Sequence, residues 1–185
     1  MTDFSDRTKL SRFISLLLRH HPEKVNLTLD EHGWADVDEL LAGINSTGRL
    51  IDRALLEEIV ASDEKQRYSF DERKELIRAN QGHSIPVDVE LEKAIPPDIL
   101  YHGTAQKFAD SIRREGIRRM SRLYVHLSKD METALKVGRR HGKPLAFSVP
   151  AGKMSRDGIP FYISANGVWL TEYVGVEYLG EVIGQ

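Results

Sequence analysis

Leu10, Phe13, Ile14, Leu17 and Leu18 recur at the i, i+3, i+4, i+7, i+8 spacing of one helical face, which predicts an amphipathic helix over residues 8–20. Ser5 or Asp6 is its expected cap and Pro22 its expected stop. At 100° per residue Arg19 falls about 180° from the centre of that apolar stripe, and His20 lies on its flank. Residues 33–37 read as a short strand and 38–44 as a short helix. Asp52 caps a further helix with Leu55, Leu56, Ile59 and Val60 inward. Residues 67–70 and 75–79 are strand-like and are joined by a polar turn. Three helices followed by a hairpin is the winged-helix pattern, whose plain reading is a DNA-binding module. Residues 84–98 carry Pro86, Pro96 and Pro97 without periodicity and are the expected linker.

Beyond the linker the pattern changes to short strands, at 99–101, 123–127, 145–149, 161–164, 169–171 and 176–183. Two helices interrupt them, one near 105–115 with Phe108, Ala109 and Ile112 inward, the other near 130–141 with Ala134, Leu135 and Val137. The fold class expected is α+β, an α-rich lobe over residues 1–90 and a β-rich lobe over 91–185.

Charge changes this picture. The net charge of −2 divides unevenly: residues 1–90 hold 12 Lys and Arg against 18 Asp and Glu, and residues 91–185 hold the other 14 and 10. The acidic first lobe is a poor general nucleic-acid binder, because nonspecific affinity is mostly phosphate neutralisation. Any nucleic acid must be held by local cationic patches. No apolar run approaches the roughly 18 residues of a membrane helix, and the acidic N-terminus is the opposite of a secretory signal. The chain has no cysteine, which excludes disulfides, Cys-based zinc sites and a thiol nucleophile. A cytoplasmic monomer, with no membrane and no metal, is the expectation.

Three segments concentrate Arg and His: Leu17-Leu18-Arg19-His20-His21-Pro22, Ile77-Arg78-Ala79-Asn80-Gln81-Gly82-His83-Ser84, and Met120-Ser121-Arg122-Leu123-Tyr124-Val125-His126-Leu127-Ser128. Such segments suggest an anionic substrate gripped from several sides, since the arginine fork donates paired hydrogen bonds and stays charged. A fourth, Tyr101-His102-Gly103-Thr104, ends the first strand of the second lobe, where glycine permits close backbone approach. Taken singly, each has a bland alternative: a solvated cation, or a turn with a satisfied histidine. Arg113, Arg114, Arg118 and Arg119 read first as a solvated face, and Arg139-Arg140-His141 as a helix terminus. Trp34 and Trp169 read as core aromatics. His21, His32 and His141 receive no role, and no His or carboxylate spacing matches a zinc ligand set.

In order, Leu-Leu-Arg19-His20, Arg78-Ala-Asn-Gln-Gly-His-Ser, Tyr-His102-Gly-Thr, Arg122 before Val-His126-Leu-Ser, and Gly167-Val-Trp-Leu-Thr-Glu resemble the RNA 2′-phosphotransferase family, from about residue 8 to residue 183. The resemblance implies a winged-helix-like lobe joined to a lobe similar to NAD-dependent ADP-ribosyltransferases. It implies removal of an internal RNA 2′-phosphate, as at a tRNA splice junction, with NAD consumed. In the implied reaction the 2′-phosphate attacks the anomeric carbon of the nicotinamide ribose and nicotinamide leaves. The ribose 2″-hydroxyl then attacks phosphorus, giving RNA with a free 2′-hydroxyl and ADP-ribose 1″,2″-cyclic phosphate.

The family's Arg-His-Arg-Arg tetrad matches Arg19, His20, Arg78 and Arg122, the arginines on the phosphate and His20 in proton transfer or orientation. His102, Gly103 and Thr104 match its NAD-contacting element, and His126 and Ser128 a position near the nicotinamide ribose. Glu172 and Glu181 are candidates by type alone for a catalytic acid with which the family dispenses. Two alternatives stand beside this reading: an ADP-ribosyltransferase that modifies a terminal phosphate of RNA or DNA, and a winged-helix regulator with an NAD-sensing lobe.

Overall fold

The computed structural model describes residues 4–184, and the chain divides between Glu90 and Leu91 into two compact units. The described residues form a mixed α/β fold with six α-helices and several small antiparallel sheets.

The first unit contains α1 (Phe4–Arg19), β1 (Ala35–Asp36), α2 (Val37–Ser46), α3 (Arg53–Ala61), β2 (Tyr68–Phe70) and β3 (Leu76–Ala79). The strands form an antiparallel sheet in the order β1-β3-β2, with Ala35 opposite Ile77 and Ser69 opposite Arg78. The α1 stripe is buried as its spacing predicts: Ile14, Leu17 and Leu18 are inaccessible and pack in one core with Leu40, Ile44, Leu56 and Ile77. Asp36 and Asp52 cap α2 and α3, their carboxylates accepting the amides of Glu39 and Leu55 at 2.8 Å each.

The start of α1 differs from expectation, and its end falls just ahead of Pro22. The helix begins at Phe4, which puts Ser5 and Asp6 inside its first turn. Beyond Arg19 the amides of His20 and His21 both reach the Leu16 carbonyl, and Pro22 opens a separate 3-10 turn, Pro22–Val25. The expected linker is not free chain either. The amide of Asp88 donates to the Glu31 carbonyl at 2.8 Å, which ties this stretch to the first unit, and Glu92 and Lys93 enter a sheet of the second.

The second unit contains β4 (Glu92–Lys93), β5 (Leu100–Ala105), α4 (Ala109–Glu115), β6 (Ile117–Arg118), β7 (Val125–Leu127), α5 (Met131–Gly138), β8 (Pro144–Val149), α6 (Ala151–Arg156), β9 (Tyr162–Ile163), β10 (Trp169–Thr171), β11 (Tyr173–Val174) and β12 (Val182–Gly184). Its sheets run β4-β9-β10-β7, β12-β8-β5 and β11-β6. An isolated antiparallel bridge between Tyr101 and Ser128 brings β5 beside the exit of β7. Leu100, Phe147, Val149, Met154 and Trp169 share the core.

Phe108 is 43% exposed and lies in a 3-10 turn before α4, so Ala109, at 5%, is the residue that turns inward. The single strand expected over 176–183 is instead a 3-10 turn at Val176–Tyr178 followed by β12. No helix among the described residues is long and apolar enough to cross a membrane.

Candidate active site

In the first unit the C-terminal end of α1, strand β3 and the loop at 82–84 bring Arg19, His20, Arg78 and His83 together. Gly82 has φ +88°, and a Cβ there would lie 3.5 Å from Arg19 Nη1. That distance is ordinary contact, so the left-handed φ, not a lack of space, is what favours glycine here, and the guanidinium lies against the loop. Nε and Nη2 of Arg19 are shielded from solvent, so this is not the solvated cation of the bland reading. The Ser84 amide donates to the Arg19 carbonyl at 3.0 Å, satisfying one of the acceptors a helix end leaves over. The Ser84 hydroxyl sits 2.9 Å from Nδ1 of His20.

His83, which carried no separate role in the sequence reading, lies at the centre of this group and is 2% exposed. Burial lowers its pKa to about 4, and the positive charges of Arg19, His20 and Arg78 push the same way. It is therefore a neutral imidazole near pH 7. Its Nε2 is buried without a hydrogen-bond partner.

Arg78 projects from β3 with its side chain 16% exposed. Its guanidinium carbon stands 4.4 Å over the ring of Trp34, and Nη1 meets Glu90 Oε2 at 3.0 Å. Trp34 is thus a half-buried platform under a cation, not the core aromatic the sequence suggests. Asn80 is structural: its amide donates to the Gln66 carbonyl and accepts from the Ser69 hydroxyl.

In the second unit β5 and β7 carry the other imidazoles. His102 Nδ1 bonds the His126 carbonyl at 3.2 Å, and His126 Nδ1 bonds the Tyr124 carbonyl at 3.0 Å. A carbonyl oxygen only accepts, so each ring carries a proton on Nδ1. Burial holds His102 below the ordinary imidazole range against the opposing effect of that carbonyl, and the charge of Arg122 lowers it further. Ser128 exchanges backbone hydrogen bonds with Tyr101 at 2.8 and 2.9 Å, which fixes it beside His102. Thr104 is 7% exposed.

Gly103 has a packing reason to be glycine. A Cβ would fall 1.8 Å from the carbonyl oxygen of Ala134, because α5 lies directly on β5. Gly138 of α5 makes the reciprocal approach: a Cβ there would fall 2.2 Å from the Thr104 carbonyl oxygen. Sequence reasoning tied Gly103 to ligand approach alone.

Arg122 follows a turn in which Met120 adopts φ +55° and the Arg122 amide donates to the Arg119 carbonyl at 3.1 Å. Desolvation and then the charge of Arg140 lower the Arg122 guanidinium from its ordinary value, yet an arginine remains charged. Part of the neighbouring cationic run is already matched: Arg113 pairs with Asp110 and Arg118 with Glu115. Trp169 is a core residue, as its sequence context suggests. Glu172 and Glu181 are both exposed.

Guanidinium groups set among imidazoles, and neutral rings with fixed acceptor nitrogens, are the equipment of a group-transfer enzyme, and the chain is a transferase. Residues 5–173 match the profile of the RNA 2′-phosphotransferase, Tpt1/KptA family, and the chain belongs to that family. A probable RNA 2′-phosphotransferase of Flavobacterium johnsoniae is 51% identical over 170 residues, covering 92% of this chain and 93% of that protein. Proteins of the same description from Fusobacterium nucleatum and Trichormus variabilis are each 52% identical, over 172 and 173 residues. They cover 92% and 94% of this chain, and 96% and 95% of their own lengths.

Proposed function

We propose that the protein removes an internal 2′-phosphate from RNA in an NAD-dependent, two-transfer reaction. The observation that carries this reading is the Arg19–His20–Arg78 group around the buried, neutral His83. A cluster of cations in which Arg78 pairs with the partly solvated Glu90 carboxylate, which a ligand would displace, is suited to a doubly charged phosphate monoester. In this reading residues 1–90 are a winged-helix-like lobe that binds RNA phosphate, and residues 91–185 an ADP-ribosyltransferase-like lobe that binds NAD.

The residues of the second unit fit the co-substrate. His102, held below the ordinary imidazole range, offers an Nε2 acceptor, His126 is oriented by its Nδ1 bond to a carbonyl, and Thr104 and Ser128 add hydroxyls nearby. That set suits ribose hydroxyls and a carboxamide. His102, Gly103, Thr104, His126 and Ser128 would hold NAD, which when bound supplies an anomeric carbon open to attack by phosphate.

Arg19, Arg78 and Arg122 neutralise and orient the phosphate, converting an encounter into a positioned reaction. The same guanidinium groups stabilise charge that grows on the phosphoryl oxygens. His20 moves a proton at Nε2. The nucleophile of the first transfer arrives ionised and needs no base, which agrees with the exposure of both Glu172 and Glu181.

The test is a short RNA bearing one internal 2′-phosphate, incubated with and without NAD. The expected result is RNA with a free 2′-hydroxyl and ADP-ribose 1″,2″-cyclic phosphate, formed with NAD and unaffected by a chelator. A stable ADP-ribosylated nucleic acid as the only product would overturn the reading in favour of a one-step transferase.

A further inference from the structure

Three imidazoles among the described residues share one arrangement. His102, His126 and His32 each bond a backbone carbonyl through Nδ1. A carbonyl has no proton to give, so these rings are locked with Nδ1 protonated. His20 differs, because its Nδ1 meets the Ser84 hydroxyl at 2.9 Å. A hydroxyl carries one donor and two lone pairs and rotates to suit. It can accept from a protonated Nδ1 or donate to a bare one.

The hydroxyl is placed by a built loop. The Ser84 amide donates to the Arg19 carbonyl at 3.0 Å, so the residue that meets His20 is fastened to the helix end that carries it. His83, 2% exposed, anchors the loop in the interior. Gly82, at φ +88°, makes the turn and lies against Arg19. Residues 82–84 therefore clasp the end of α1 and fix Arg19 and His20 together.

We propose that Ser84 is a positioning residue that holds His20 in either neutral tautomer and as the cation, so that one ring serves as both base and acid in phosphoryl transfer. The inference rests on the role given to His20 above. In the second transfer Nε2 of His20 takes the proton of the attacking hydroxyl as the new P–O bond forms. The bond between phosphorus and the RNA 2′-oxygen breaks, and the proton passes from Nε2 to that oxygen. His20 ends in the protonation state in which it began. During this transfer Nδ1–H donates to Ser84 Oγ; in a step where the ring starts with its proton on Nε2, Ser84 turns and donates to Nδ1.

The test uses the full chain, the 2′-phosphorylated RNA and NAD, with variants Ser84→Ala, Ser84→Thr and His20→Ala. Ser84→Ala keeps the backbone bond to Arg19 and loses only the hydroxyl. It is expected to lower kcat by about 10- to 100-fold with KM changed by less than about twofold, and Ser84→Thr to recover most of the rate. The ring nitrogen resonances of His20 should shift in Ser84→Ala and not in Ser84→Thr. That measurement needs neither substrate.

His20→Ala inactive with Ser84→Ala at the full kcat overturns the inference alone. So does a Ser84→Ala defect seen in KM that Ser84→Thr does not repair. His20→Ala at full activity overturns the role of His20 and the inference with it.

Discussion

Arg78 is held from two directions: the Trp34 ring lies under its guanidinium plane and the Glu90 carboxylate takes Nη1. Lysine would keep the charge and lose both the planar stack and the fork. Arg78→Lys is therefore expected to reduce 2′-phosphate removal by about 100-fold or more with an unchanged unfolding midpoint, since it deletes no core volume; a steady-state assay beside a thermal melt checks both. Glu90 is the opposite case. Its amide is fixed by Asp88 Oδ1 at 2.9 Å and its carboxylate occupies the cation that the proposed function reserves for phosphate. A ligand that must displace a tethered competitor binds less tightly by the fraction of time the site is closed. The pair is partly solvated, so the effect is modest. Glu90→Gln should lower KM for 2′-phosphorylated RNA by about two- to fivefold, and a raised KM would show that Glu90 supports Arg78 rather than competing for it.

At the scale of elements, the contact of α5 with β5 is the tightest demand in the second unit. Gly103→Ala would drive a methyl group into the Ala134 carbonyl at 1.8 Å, and neither strand nor helix can withdraw without opening the core. Urea unfolding should show a loss of about 2 kcal/mol or more, at the high end of overpacking penalties. The helices and hairpin of the first unit were legible because α1 has a clean apolar stripe and because Asp52 is a cap of the preferred type; Asp36, read as a strand residue, also proves to be a cap, and α2 starts at Val37. The six-residue α6 was not legible, being too short to show a period although Met154 is fully buried. β12 was merged with the turn before it, because Val176 and Tyr178 look like strand residues and only the backbone shows the break. The cationic segments of the site could be read, since each is continuous in sequence. Their partners could not. Ser84 lies 64 residues from His20, and Glu90 and Trp34 lie far along the chain from Arg78. His83 stood inside a segment already singled out, and its glycine neighbour was the available sign that the loop turns inward.

For the whole molecule, a buried neutral histidine makes acid a selective stress. His83 has a pKa of about 4 when folded and the ordinary value of 6.5 when exposed. Below pH 6.5 the unfolded chain binds a proton that the folded chain refuses, so stability present above 6.5 is lost as pH falls toward 4. The full span corresponds to about 3 kcal/mol. His102, lowered chiefly by burial, carries the same sign in the second unit. The protein's two tryptophans fall one to each unit, so the losses can be observed separately: Trp34 stacks under Arg78, and Trp169 is 6% exposed in the other core. With Trp169→Phe, emission from Trp34 should report an urea midpoint that drops between pH 7 and pH 4.5. His83→Gln should flatten that drop, since the amide cannot titrate. Carboxylates that titrate in this range act alike in both proteins and cancel in the comparison. Equal pH slopes in the two would mean that His83 is protonated in the folded protein, and that Arg19, His20 and Arg78 do not surround a neutral ring.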